Sequence, residues 1–317
     1  MKIIFAGTPE FAVPSLRALH GAGHEITVLT QPDRPQGRKK ILTPPPVKAE
    51  AERLGLAVLQ PERLKGDFSS VAAVGAELMV TCAYGQILTQ EVLDLFPKGV
   101  WNVHASLLPA YRGAAPIARA VIDGEKKTGV TIMKTDVGLD TGDIFLTAEV
   151  KINEGYDTCG SLTEELSEVG AKLITEALGK IAAGDVALTK QGEGFVCKKV
   201  FRTEVDFSKG CKEVARLING LSPAPLAYAN VEGMPVNFYR ASSFSQREVE
   251  NVVPYIDWSM PCGAVLVAEG DCLFIMCGDG YVSIEELQLA GGKRLKTKEF
   301  LNGRKIRKGM RFDQPVL

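Results

Sequence analysis

The sequence predicts an α/β protein: a Rossmann-like, doubly wound N-terminal domain followed by a C-terminal OB-like β-barrel. Three observations carry this. Apolar strand-like runs alternate with helix-like segments through the first half, the pattern of a parallel sheet wound with helices. Within Glu77–Ala83 the run Leu78-Met79-Val80 is unbroken, as expected of a strand buried on both faces. From about residue 208 onward, short strand-like runs separated by turn residues replace the alternation, which suits a small barrel. A chain of 317 residues can bury two cores, and the domains are expected over 1–205 and 206–317.

The elements follow in order. Lys2–Ala6 reads as a strand, and Thr8-Pro9 as the start of a helix running to Gly21, with Thr as N-cap and Pro in the first turn. Ile26–Thr30 and Ala57–Leu59 read as strands, with a helix over Val47–Leu54 stopped by Gly55. After the Glu77–Ala83 strand come a helix at Gln90–Leu95, a strand at Val100–Ala105, a helix at Pro116–Ile122 and a strand at Val130–Lys134. Beyond Ile144–Ile152, the spacing of Leu162, Leu166, Val169, Leu173, Ile174, Leu178 and Ile181 predicts a long amphipathic helix ending at Gly184. In the second half, a helix at Cys211–Asn219 precedes strands at Ala227–Val231, Val236–Ala241, Cys262–Ala268, Cys272–Cys277 and Val282–Gln288.

Composition narrows the function. The 37 basic and 38 acidic residues leave a net charge of −1, so any hold on a polyanion must come from local concentrations of charge. There is no run of 18 apolar residues and no signal-peptide core at the start, which argues against a membrane span and for a cytoplasmic protein. The 7 cysteines form no CxxC pair, so neither a zinc framework nor a disulfide scaffold is expected.

Two segments stand out by charge. Gln31–Pro46 holds five prolines and the basic residues Arg34, Arg38, Lys39 and Lys40, and a loop of that length in a compact domain is usually functional or disordered. Lys293–Arg311 sets nine Lys or Arg, among them Lys293, Arg294, Arg304, Lys305, Arg307 and Lys308, against the single acid Glu299. Taken alone, each is as well explained by a solvated surface.

The first turn, Gly7-Thr8-Pro9, lacks the glycine fingerprint of a dinucleotide site and puts Glu10 where a pyrophosphate would lie. Neither NAD nor FAD is expected. Richer chemistry lies in Trp101–Pro109. Asn102 and His104 alternate on one strand, so both side chains share a face. They lie near the strand's C-terminal end, where open α/β sheets bind ligands. An amide and an imidazole side by side can both donate to a developing oxyanion, although an isolated strand histidine is more often a hydrogen-bonded core residue. Asp140, between Gly138 and Gly142, suits a turn closed on its own backbone. If that loop folds over the strand ends, it instead orients His104. Ser106, Leu107, Leu108 and Pro109 read either as a strand-to-helix connection or as a backbone wall for a flat heterocycle.

Together these residues resemble the methionyl-tRNA formyltransferase family over nearly the whole chain. The resemblance rests on Phe5–Pro14, Gln31–Arg38, Asn102–Pro109, Gly138–Asp143, Gly278-Asp279-Gly280 and Leu287–Gly291. The resemblance implies formyl transfer from 10-formyltetrahydrofolate to the α-amino group of methionyl-initiator tRNA, without a metal. It makes Asn102, His104 and Asp140 catalytic and Ser106–Pro109 folate-binding. It assigns the basic loop around Arg38 to the acceptor stem and the basic C-terminal segment to the tRNA backbone, in a protein expected to be monomeric. One departure is Ala110, where the family commonly has a basic residue before the aromatic-Arg-Gly; Arg112 is the candidate to compensate. An aminosugar-nucleotide formyltransferase, a 10-formyltetrahydrofolate hydrolase or dehydrogenase, and a non-catalytic tRNA-binding module remain alternatives.

Overall fold

The computed structural model describes residues 1–37, 40–246, 257–303 and 305–315. The chain divides into two compact units. One gathers Met1–Pro116, Thr128–Lys151 and Thr163–Cys197; the other gathers Ile117–Lys127, Ile152–Leu162 and Lys198–Leu317.

Through residue 197 the strands are β1 (Lys2–Gly7), β2 (Glu25–Leu29), β3 (Arg34–Gln36), β4 (Ile41–Thr43), β5 (Ala57–Leu59), β6 (Leu78–Cys82), β7 (Val100–His104), β8 (Arg112–Gly113), β9 (Lys127–Lys134), β10 (Ile144–Lys151) and β11 (Val196–Cys197). The main sheet has the order β10-β9-β7-β6-β1-β2-β5. Its strands from β5 to β7 are mutually parallel. Ile3, Ile4, Phe5, Ala6, Leu78, Met79 and Val80 are wholly buried, as a strand covered on both faces requires.

Three expectations for this half need correcting. β9 runs antiparallel to β7, His104 pairing with Thr131 and Trp101 with Lys134. The intervening helix, Pro116–Asp123, spans only about 12 Å at 1.5 Å per residue, and β9 re-enters beside the end that β7 leaves, so the sheet is mixed. The first helix does not begin at Pro9. Pro9 is extended, a 3₁₀ turn covers Glu10–Ala12, and the α-helix runs Val13–Gly21. Thr8 does not cap the helix; its hydroxyl donates to the Tyr84 carbonyl (2.8 Å). Finally, Gln31–Pro46 is not a structureless loop, because β3 and β4 pair antiparallel within it. Arg38 and Lys39, between those strands, lie outside the described residues.

The second unit is β-rich. Strands β12 (Thr203–Glu204), β13 (Ala227–Val231), β14 (Met234–Ser245), β15 (Val265–Glu269), β16 (Cys272–Met276), β17 (Gly280–Leu289) and β18 (Leu295–Lys296) accompany a helix over Cys211–Gly220. The sheet order is β12-β13-β14-β17-β16-β15, with β18 on β17. Phe207, Phe238 and Phe312 meet at its centre with ring centroids 5.6–6.2 Å apart. No closed barrel is found among the described residues. Residues 309–313 bond to β13 and to the start of β15 through the isolated bridges Val231–Phe312 and Ala264–Arg311 and the Gly309 N–H donating to the Val265 carbonyl (2.9 Å). This last stretch is irregular, with Gly309 at φ 87°, and it does not continue as a ladder. No described helix is long and apolar enough to cross a membrane.

Candidate active site

β7 sets the geometry. Val103 is buried, and a Cβ on Gly170 of the helix Cys159–Ala183 would come within 2.9 Å of its Cγ1. That close approach fixes one face of β7 against the helix. Alternation then turns Asn102 and His104 to the opposite face. Thr81, beside Asn102 in the β6–β7 register, donates to the Asn102 amide oxygen at 3.0 Å. The amide is thereby oriented, with its NH₂ directed at Asp140 Oδ1, 3.3 Å away.

The side chain of His104 is only 7% exposed. Its Nε2 lies 2.9 Å from the Tyr111 carbonyl and its Nδ1 lies 3.6 Å from Asp140 Oδ2. Both ring nitrogens therefore face oxygen atoms, one of the backbone and one of the carboxylate.

Asp140 comes from a loop whose shape is over-determined. Asp136 accepts from the Gly138 N–H (3.0 Å) and the Thr141 hydroxyl (2.8 Å). A Cβ on Gly142 would collide with the Lys134 carbonyl oxygen at 1.8 Å, so only glycine fits. Asp140 itself adopts a left-handed φ of 53°, a conformation unfavourable for residues with a Cβ and concentrated at functional sites. Its Oδ2 accepts the Gly113 N–H at 2.8 Å. The three sequence-predicted residues thus converge as a network centred on Asp140. Its firmest bond is to Gly113; its longest contacts are those to Asn102 and His104.

Ser106–Pro109 forms the adjoining turn. The Ser106 hydroxyl donates to the Ala110 carbonyl (2.7 Å), and buried Thr131 ties the turn to β9 by donating to Ser106 O (2.7 Å) and accepting from Leu108 N (3.2 Å). Leu108 is buried, while Leu107 and Pro109 stay partly exposed. Arg112, next to the aromatic residue that follows Ala110, donates from Nε and Nη2 to Gln191 Oε1 and from Nη2 to the Gly192 carbonyl.

Sequence reasoning missed Thr81, Thr131, Gln191, the Tyr111 carbonyl and the Gly113 N–H. Thr81 had a signal, being a hydroxyl inside an apolar strand. Gln191, 51 positions from Asp140, had none.

The basic candidates divide. Lys40, Lys293, Lys305, Arg307 and Lys308 are exposed. Arg34 pairs with Glu62 at 3.1 Å. Arg294 bonds Glu286 (Nε to Oε2, 3.0 Å) and lies 4.4 Å over the Tyr239 ring. Arg304, like Arg38 and Lys39, lies outside the described residues.

Residues 1–178 match the formyl transferase family and residues 199–305 match the formyl transferase C-terminal domain. The methionyl-tRNA formyltransferase of Dechloromonas aromatica (strain RCB) is 43% identical over 321 residues, covering 100% of both chains. The chain belongs to the methionyl-tRNA formyltransferase family. Another relative of that name, from Neisseria meningitidis serogroup B, is 42% identical over 98% of this chain and 100% of its own. Among solved structures, HypX from Aquifex aeolicus in complex with tetrahydrofolic acid superposes with a TM-score of 0.64 at 20% identity, covering 95% of this chain and 47% of that one. WlaRD, a sugar 3N-formyl transferase, gives 0.65 at 17% identity, covering 92% and 99%. At such identities these two share the fold.

Proposed function

We propose that the protein moves the formyl group of 10-formyltetrahydrofolate to the α-amino group of methionine on initiator tRNA. The observation that carries this reading is the meeting of Asn102 and His104 at Asp140 in a chain 43% identical, end to end, to a methionyl-tRNA formyltransferase. The neutral amine attacks the formyl carbon, forming a C–N bond and a tetrahedral oxyanion. The bond to N10 then breaks, and the proton lost by the amine ends on N10.

Asn102 Nδ2 and His104 Nδ1 make the longest contacts of the network, 3.3 and 3.6 Å, and both point toward Asp140. Donors so loosely held can be shared with the formyl oxygen as its charge grows. Asp140 keeps the two donors in register and takes up the amine's proton through water. Ser106, Leu107, Leu108 and Pro109 would form the wall for the folate ring. No step needs a metal or a covalent enzyme intermediate.

The catalytic domain is assigned to 1–205 and an OB-like, tRNA-binding domain to 206–317, with residues 309–313 as the bridge between β13 and β15. Lys40 and Arg34, with Arg38 and Lys39, would reach the acceptor stem. Lys293, Arg294, Arg304, Lys305, Arg307 and Lys308 would track the phosphate backbone. We take the protein to act as a cytoplasmic monomer. The test supplies purified protein and 10-formyltetrahydrofolate with either methionyl-initiator tRNA or an aminosugar nucleotide. Formyl label on the tRNA is expected; label on the sugar alone would overturn the assignment.

A further inference from the structure

Asp140 holds its carboxylate in place from a strained backbone, and something must fix that backbone. One side chain does so from 51 positions away. Gln191 Nε2 donates to the Asp140 carbonyl at 2.9 Å and to the Gly142 carbonyl at 2.6 Å. Its Oε1 accepts from Arg112 Nε (3.0 Å) and Nη2 (2.8 Å). The amide orientation is unambiguous, since the guanidinium has only donors and the carbonyls only acceptors. Arg112 and Gly113 form β8, which pairs in parallel with β11 just beyond Gln191. The Gly113 N–H is the group that holds Asp140 Oδ2. Asp140 is therefore gripped twice, at its carboxylate by Gly113 of β8 and at its carbonyl by Gln191 in the segment leading to β11.

From this geometry we infer that Gln191, braced by Arg112, is a positioning residue for the formyl transfer, acting on the rate only through Asp140. It fixes the left-handed turn that aims the carboxylate at His104 and Asn102, and it touches none of the reacting atoms. The inference rests on the reading of Asp140 given above. Gln191→Glu is the direct probe, because the isostere keeps an oxygen for Arg112 but turns an acceptor toward two carbonyls. A displacement of about 1 Å at a reacting group costs up to roughly 10²-fold. The variant should thus lose about 10- to 100-fold in kcat while KM for both substrates stays within about twofold.

The decisive readout is the double-variant cycle with Asp140→Asn. If Gln191 acts through Asp140, Gln191→Glu should cost nothing further in the Asp140→Asn background. Gln191→Met, with neither donor nor charge, repeats the measurement should the glutamate disturb folding. Normal kcat in both Gln191 variants, a loss confined to KM, or an undiminished loss in the Asp140→Asn background would overturn the inference. The two readings separate cleanly. A fully active Asp140→Asn enzyme defeats the site assignment and the clamp with it, whereas a slow Asp140→Asn beside a normal Gln191→Glu defeats the clamp alone.

Discussion

The loop around Asp140 and the basic segment 293–311 treat charge in opposite ways. At Asp140 the charged group is largely buried, with a side chain 16% exposed, and its carboxylate and carbonyl have partners on β7, on β8 and at Gln191. In 293–311 the apolar residues are the fixed ones. Phe300, Leu301, Ile306 and Met310 are buried, whereas Lys293, Lys305, Arg307 and Lys308 stand in solvent and Arg294 pairs with Glu286. The contrast follows from what each must do. A reaction centre gains rate from donors held in one geometry. Phosphate binding needs only potential near the surface and the release of counterions. A point change should therefore be costly and specific in the first region, and mild and graded in the second.

The largest effect is expected from His104→Ala or Asn102→Ala, each lowering turnover by about 10²-fold or more, the scale for one lost oxyanion donor, with folding retained by circular dichroism. Activity within a few fold of normal would remove the distinction between the regions. Gly113→Ala should come next. Gly113 has φ 98°, and a Cβ there would sit 2.7 Å from the Cys197 carbonyl oxygen. The strain is worth about 1–3 kcal/mol and displaces the N–H that holds Asp140, so thermal stability and kcat should fall together. A fall in stability alone would mean that the anchor is dispensable.

In the basic segment, Lys305→Glu with Lys308→Glu should weaken binding to every tRNA alike and flatten the dependence of affinity on salt, because phosphate contacts carry no sequence information. Discrimination among tRNAs changed by this pair would place base reading there. Arg38→Ala should instead reduce formylation of initiator tRNA most. Unchanged formylation would make the 31–46 segment a plain connection.

The smallest effect on turnover is expected from a structural cluster of three charged residues, whose contribution is to stability. Glu50, buried between the helices Val13–Gly21 and Pro46–Arg53, bonds Arg53 and Arg17, and those bonds hold its carboxyl down at about 2 against an ordinary 4.5. A depressed carboxyl stabilises the fold above its unfolded pKa and loses that contribution as pH falls toward the folded value. The difference in Tm between the native protein and Glu50→Gln should therefore be greatest near pH 7 and shrink between about pH 4.5 and 2. A gap independent of pH would assign the effect to packing.

Much of this was legible in the residues, and the gaps have physical causes. Periodicity located β1, β6, β7 and the long helix to within a few residues, because burial on both faces or on one stripe leaves a local signature. It could not reveal that β9 turns antiparallel, which depends on where a short helix delivers the chain. Asn102 and His104 were recognisable from alternation near a strand end, and Asp140 from its flanking glycines together with the family resemblance. Their partners were not. The Tyr111 carbonyl and the Gly113 N–H are backbone groups common to nearly all residue types, and Gln191 reaches the site through long-range pairings on either side of it, Thr189 with Ile144 and β11 with β8. The Gln31–Pro46 hairpin was hidden by its prolines, which sit at an edge and in flanking positions where no ladder hydrogen bond is lost.

The central claim is that Asp140 orients both donors of the site. Single-turnover formylation of methionyl-initiator tRNA by Asp140→Asn, at saturating 10-formyltetrahydrofolate, tests it most directly. The substitution keeps size and backbone but removes the negative charge facing His104 Nδ1. A rate lowered by about 10²-fold or more, with unaltered tRNA binding and thermal stability, is the predicted result. A rate within a few fold of the native protein's would contradict it.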